Sequence, residues 1–142
     1  MKKYLFLILA LTFGSAWAEM ITVYKSKTCG CCVKWVEIME KAGHEVKVNH
    51  PFDLKGTKKK LGVPAVLGSC HTAVIGDYVF EGHIPEKDIL SFLANPPSGS
   101  IGLAVPGMPA MSPGMAPKGQ PYKNISVIAF DKNGNMSLFN KY

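Results

Sequence analysis

The chain has 142 residues, 47% of them hydrophobic and 18% charged, with a formal net charge of +6. That length suits one domain around one core. The positive charge is mild and dispersed, which excludes a nucleic-acid-binding surface.

Residues 1–18, MKKYLFLILALTFGSAWA, have the three parts of a secretory signal peptide. Lys2 and Lys3 are the basic start, Tyr4 to Phe13 the apolar run, and Ala16-Trp17-Ala18 the small-x-small cleavage site. The run is shorter than the roughly 20 residues of a spanning helix, so cleavage after Ala18 is expected. Residues 19–142 then form a single domain with no membrane attachment, and loss of Lys2 and Lys3 lowers the formal charge from +6 to +4. Export places the chain in an oxidising compartment, where disulfides persist.

Met20 to Tyr24 (MITVY) is apolar and β-branched, the pattern of a buried strand. After the polar turn Lys25 to Gly30, Val33, Trp35, Val36, Ile38 and Met39 recur at helical spacing as far as Ala42. Gly43 supplies the helix stop. His44 to Val48 alternates as a second strand. Asp53 to Leu61 is a short helix closed by Gly62, and its Lys58-Lys59-Lys60 run reads as a solvated face. Thr72 to Ile75 and Tyr78 to Glu81 flank the tight turn Gly76-Asp77 as a hairpin. Ile84-Pro85-Glu86 opens a helix with proline in its first turn, and Asn95-Pro96-Pro97 ends it.

The order β-α-β-α-β-β-α predicts an α/β (α+β) domain of thioredoxin-like type. Residues 98–122 are so rich in glycine, proline and methionine that neither a helix nor a regular strand is expected there. They read as a strap. Residues 123–142 then form a C-terminal β-hairpin, Ile125 to Phe130 and Met136 to Phe139, about an Asn133-Gly134 turn.

Three of the four cysteines crowd into Thr28-Cys29-Gly30-Cys31-Cys32-Val33. Cys29 and Cys32 make a Cys-x-x-Cys frame where a strand hands over to a helix. A helix N-terminus offers free N–H donors and the positive end of a dipole, and both favour thiolate over thiol. Lys25, Lys27 and Lys34 add positive charge. In a thioredoxin-like fold the turn before the third strand packs on this loop. Cys70-His71 occupies that turn here, so all four thiols are expected at one edge.

Converging thiolates suit a soft ion such as Cu(I) or zinc. Zinc is usually held by cysteines paired on two knuckles in a closed tetrahedron. The adjacent Cys31 and Cys32 are better suited to bridging several Cu(I) ions. The competing use of the same residues is thiol–disulfide or copper redox chemistry, with Cys29 as nucleophile and Cys32 as resolving thiol. Purely structural disulfides are the third option, weakened because neighbouring cysteines close only small loops. His71 and His83 are auxiliary candidates as ligands or proton relays. Met108, Met111 and Met115, in PGMPAMSPGM, offer thioethers, the soft ligands that copper accepts. They equally fit as gap-fillers under the strap.

The blocks YKSKTCGCCVKW, LGVPAVLGSCHTAVIGDYVFEGHIP and GLAVPGMPAMSPGM resemble the exported CopG-type copper-tolerance proteins, a family also known as a metal-binding domain of unknown function. The resemblance runs from about Ile21 to the end. It implies a thioredoxin-like fold in the bacterial periplasm, a part in copper resistance, and Cu(I) bound by Cys29, Cys31, Cys32 and Cys70. It also implies an oxidoreductase activity toward copper. The expected partners are copper ions and, where the ion is passed on, other periplasmic copper-handling proteins. Met108 and Met115 match the family's PGM elements; Met111 does not.

Overall fold

The structure, a computed structural model, describes residues 19–142; the expected signal peptide lies outside the described residues. In chain order the elements are β1 (Ile21–Lys25), α1 (Gly30–Lys41), β2 (Val46–Asn49), α2 (Leu54–Lys60), a single 3-10 turn (Ala65–Leu67), β3 (His71–Ile75), β4 (Tyr78–Glu81), α3 (Glu86–Ala94), β5 (Ser100–Ala104), β6 (Ser126–Asp131) and β7 (Met136–Lys141). The strands form one seven-stranded sheet in the order β2-β1-β3-β4-β5-β6-β7. β1 pairs parallel with β2 through the α1 crossover, and β3 and β4 pair antiparallel. This is the expected thioredoxin-like βαβ unit followed by a hairpin and a helix.

Alternation along the strands sorts side chains onto two faces. Ile21, Val23, Ala73, Ile75, Phe80, Leu103, Val127 and Ala129 face α1 and α3, where Trp35, Val36, Met39, Ile89 and Phe92 complete the main core. Their alternating neighbours Val79, Ala104 and Phe130 join Val63 and Leu67 in a smaller cluster after α2. Asp53 caps α2 by accepting from Gly56 N–H at 2.8 Å, and Gly43, at φ 96°, follows α1 in the left-handed conformation.

The strap is shorter than its composition suggests. Ser100 to Ala104 is a strand, paired parallel with β4 and antiparallel with β6, whereas none was expected over 98–122. The prolines of this region begin at Pro106, so β5 keeps all its donors. A β-carbon on Gly102 would stand 1.7 Å from the Val79 carbonyl oxygen, so the glycine permits the close approach of β4. β5 is thereby the rung that joins the C-terminal hairpin to the sheet. Among the described residues no helix is long and apolar enough to cross a membrane.

Candidate metal centre

The centre sits where β1 gives way to α1 and where the chain enters β3. Cys29 is the N-cap of α1, with no side-chain cap bond and no acidic residue in the first turn. The first-turn N–H groups of α1 are thus left without a capping side chain or an acidic neighbour. Cys31 and Cys32 lie in the same turn. Cys70 comes from the segment before β3, and antiparallel pairing of Lys25 with His71 brings it alongside.

One ligand atom from each of Cys29, Cys31, Cys32 and Cys70 lies within 4.8 Å of the others, as expected for all four thiols. Cys29 and Cys32 are joined as a disulfide, and Cys31 and Cys70 are free thiols. The Cys31 sulfur is 3.5 Å from that of Cys29 and 3.9 Å from that of Cys70. Cys32 is fully buried, while the other three are partly exposed. The Cys70 thiol is pushed up to about 11, first by burial and then by the neighbouring Cys31.

Both auxiliary histidines are present. Cys32, Cys70, His71 and His83 form a second group whose ligand atoms lie within 4.8 Å of one another. His83 Nε2 is 3.0 Å from the Cys70 sulfur, and its Nδ1 is 2.7 Å from the Pro113 carbonyl oxygen. A carbonyl only accepts, so Nδ1 carries the proton and Nε2 presents its lone pair to the sulfur. His71 is fully buried, and neither ring nitrogen has a hydrogen-bond partner. It lies 4.6 Å from the Trp35 ring and 5.0 Å from the His83 ring, centre to centre. Burial holds it well below the ordinary imidazole range, helped by the repulsion a protonated His83 would add and by the charges of Lys58 and Lys25. Burial lowers His83 as well. Both rings are thus kept neutral, the form in which imidazole binds metal. An orphaned, neutral, buried imidazole beside two cysteines fits a soft-metal site, because an unpaired buried nitrogen otherwise costs about 1–3 kcal/mol.

The strap closes the site. Pro113 is buried, and a β-carbon on Gly114 (φ +83°) would stand 2.8 Å from the Cys31 carbonyl oxygen and 2.9 Å from Trp35 N. The strap therefore lies directly on the first turn of α1. Met115 is half-buried in this turn, as is Met111, whereas Met108 is 59% exposed. Ser69 donates to the Gly107 carbonyl, which ties the strap to the Cys70 segment.

A buried ion pair supports that segment, and it corrects the reading of Lys58 as part of a solvated face. Glu81 is fully buried; it accepts from Lys58 Nζ, Ser69 N–H and Thr72 Oγ1, each at 2.6 Å. Lys58 Nζ also donates to Thr72 Oγ1 at 3.0 Å. One carboxylate thus grips the residues on both sides of Cys70-His71. Glu81 and Lys58 are 23 residues apart, and nothing local in the sequence signals their meeting. The remaining histidines lie outside the centre: His44 pairs with Glu86 at 2.9 Å, and His50 Nδ1 meets the Lys25 carbonyl at 3.1 Å.

Residues 67–115 match the model of a protein family of unknown function, DUF411. No curated protein sequence matches significantly. Two solved structures, Form 1 and Form 2 of the copper resistance protein CopG, are each 37% identical to the chain. Form 1 superposes with a TM-score of 0.80 over 88% of this chain and 98% of that one. Form 2 does so with 0.79 over 87% and 98%.

Proposed function

The chain belongs to the family of the copper resistance protein CopG, and from that premise we propose that it is a periplasmic protein that binds Cu(I) through the thiolates of Cys29, Cys31, Cys32 and Cys70. Copper is its cargo. The observation that carries the reading is the gathering of four sulfurs within 4.8 Å at a helix N-terminus. Bridging thiolates let a multinuclear Cu(I) cluster form there. Lys25, buried and paired in register with His71, and the helix dipole offset part of the negative charge of the sulfurs. His71 and His83 stand by as neutral nitrogen donors, and Met108 and Met115 as thioethers at the strap. Bound ion would be sequestered or passed to other copper-handling proteins of that compartment.

The test is a titration of fully reduced residues 19–142 with Cu(I) against a chromophoric Cu(I) chelator. More than one ion per chain is expected, with loss on Cys31→Ser or Cys70→Ser. Less than about one equivalent, unchanged by those substitutions, would overturn the reading.

The disulfide itself favours a second reading, that of a thiol–disulfide or copper oxidoreductase. The partly exposed Cys29 would be the nucleophile and the buried Cys32 the resolving thiol. It requires a Cys29 thiolate that forms below the ordinary thiol range, together with turnover of a disulfide substrate; absence of both removes it.

A further inference from the structure

Among the described residues, the two most exposed large apolar side chains are Phe52, just before α2 and fully exposed, and Val66, in the 3-10 turn after it and 72% exposed. Their chain neighbours Asp53 and Ala65 line a groove of about 690 Å³ between α2 and that turn. Val63, Pro64 and Ala65 give the groove an apolar wall, and Lys55, Lys58 and Lys59 give it charge. Its one acid, Asp53, is engaged by α2, because Oδ1 accepts from Gly56 N–H at 2.8 Å. Lys58 is paired with Glu81. Lys55 and Lys59 are exposed and have no ion-pair partner among the described residues. The groove therefore combines apolar surface with two uncompensated ammonium groups. No residue of the seven-residue α2 is buried. A helix so short depends on tertiary packing, and the outer face of this one has room for more.

We propose that this groove docks an acidic segment of a partner protein: one leucine or phenylalanine side chain fills it, and flanking carboxylates meet Lys55 and Lys59. Burial of the apolar side chain supplies affinity, and the opposite charges supply orientation and partner choice. Phe52 and Val66 add apolar contact on either side. A simple anion would leave the apolar wall unused. A bilayer takes up protruding apolar side chains rather than a recessed surface, so the concavity favours a polypeptide. The groove reaches Gly68, two residues before Cys70. Gly68 in turn accepts from Gly107 N–H at 3.2 Å, where the strap meets that segment. A partner seated here stands beside the thiol edge. On the Cu(I) reading it is placed to give or take the ion, but the docking itself does not depend on that reading.

The test is an NMR titration of metal-free, isotope-labelled residues 19–142, so its outcome is independent of copper binding. The probe is an acetylated peptide of aspartate and glutamate around one central leucine. Backbone amide shifts are expected to move within residues 52–68. Raising the ionic strength from about 0.05 to about 0.5 M should weaken binding several-fold. Replacing the peptide leucine by serine should weaken it at least about tenfold. Lys55→Glu/Lys59→Glu should do the same, and Phe52→Ala should weaken it at least about threefold. All three side chains are exposed, so the variants should keep the wild-type Tm. The inference is overturned if millimolar peptide leaves residues 52–68 unmoved, if the serine peptide binds as tightly, or if the double lysine variant binds unchanged. Phosphatidylglycerol vesicles are the control for a membrane: retention on them without a response to the peptide would assign the surface to anionic lipid and overturn the inference as well.

Discussion

Glu81 is the position at which a single substitution should separate the scaffold of the centre from its ligands. Its carboxylate is fully buried and accepts three hydrogen bonds, two of them from groups flanking Cys70-His71. Glu81→Gln keeps the shape and the acceptor oxygen for Lys58 and Ser69 but removes the charge opposite the Lys58 ammonium. Breaking one side of a buried pair costs about 3–5 kcal/mol. The Lys58 side chain is 14% exposed and can relax toward solvent, so the cost falls just below that range, about 2–3 kcal/mol. For a domain of this size each kcal/mol is worth roughly 4 °C in Tm, so a fall of about 10 °C is expected by thermal unfolding. Lys58→Met, which strands the carboxylate instead, should cost about 3–5 kcal/mol. The double variant should then be more stable than the sum of the two losses predicts, by at least about 2 kcal/mol. The local consequence is read by alkylation with iodoacetamide, followed peptide by peptide. In Glu81→Gln the Cys70 thiol should react faster relative to Cys31, because Ser69 N–H is held less firmly. Additive losses, or an unchanged ratio of Cys70 to Cys31 alkylation, would refute the argument that this pair clamps the Cys70-His71 segment.

Two further outcomes follow from the same geometry. His71 and His83 both titrate below the ordinary imidazole range when folded, so the unfolded chain binds more protons than the folded one as pH falls through about 6.5. Stability of the metal-free protein should therefore be fully present above that pH and decline below it, by up to about 1.4 kcal/mol per pH unit for each ring. Denaturant unfolding at pH 7.5, 6.5 and 5.5 checks this, and His71→Phe should flatten the slope. Gly114→Ala places a β-carbon 2.8 Å from the Cys31 carbonyl at a left-handed φ, which costs about 1–2 kcal/mol for the conformation alone. Because displacement of the strap also withdraws Pro113 from His83, the exchange-protected Nδ1 proton of that ring should disappear from the NMR spectrum. A retained proton would show that the strap does not set the tautomer.

What could be read in the sequence was local. The apolar spacing of Val33, Trp35, Val36 and Met39 marks α1, and the glycine after it marks its end. The crowding of Cys29, Cys31 and Cys32 marks the site, and the fold order was enough to bring Cys70 to it. What could not be read depends on partners distant in the chain. β5 hides in a glycine- and proline-rich stretch, because its evidence is the fit of Gly102 against Val79 in β4. The Lys58 ammonium looks like one of three solvated lysines until β4 places Glu81 beneath it. The tautomer of His83 is set by a carbonyl 30 residues on.

The pairing of the cysteines is a different kind of unknown. Spacing alone allows four thiolates or a disulfide with two thiols, because a potential rather than a pattern chooses between them. In the structure the frame is closed: Cys29 and Cys32 are bonded, and Cys31 and Cys70 keep free thiols. The disulfide joins the buried Cys32 to the partly exposed Cys29, so an attacking thiol reaches it from the Cys29 side. It leaves untouched the Cys31 and Cys70 sulfurs, 3.9 Å apart, and the contact of Cys70 with His83. An oxidising compartment favours the closed frame, and a reducing dithiol partner favours the form with four thiols. Cys31, the third crowded cysteine, keeps its free thiol when the frame is closed.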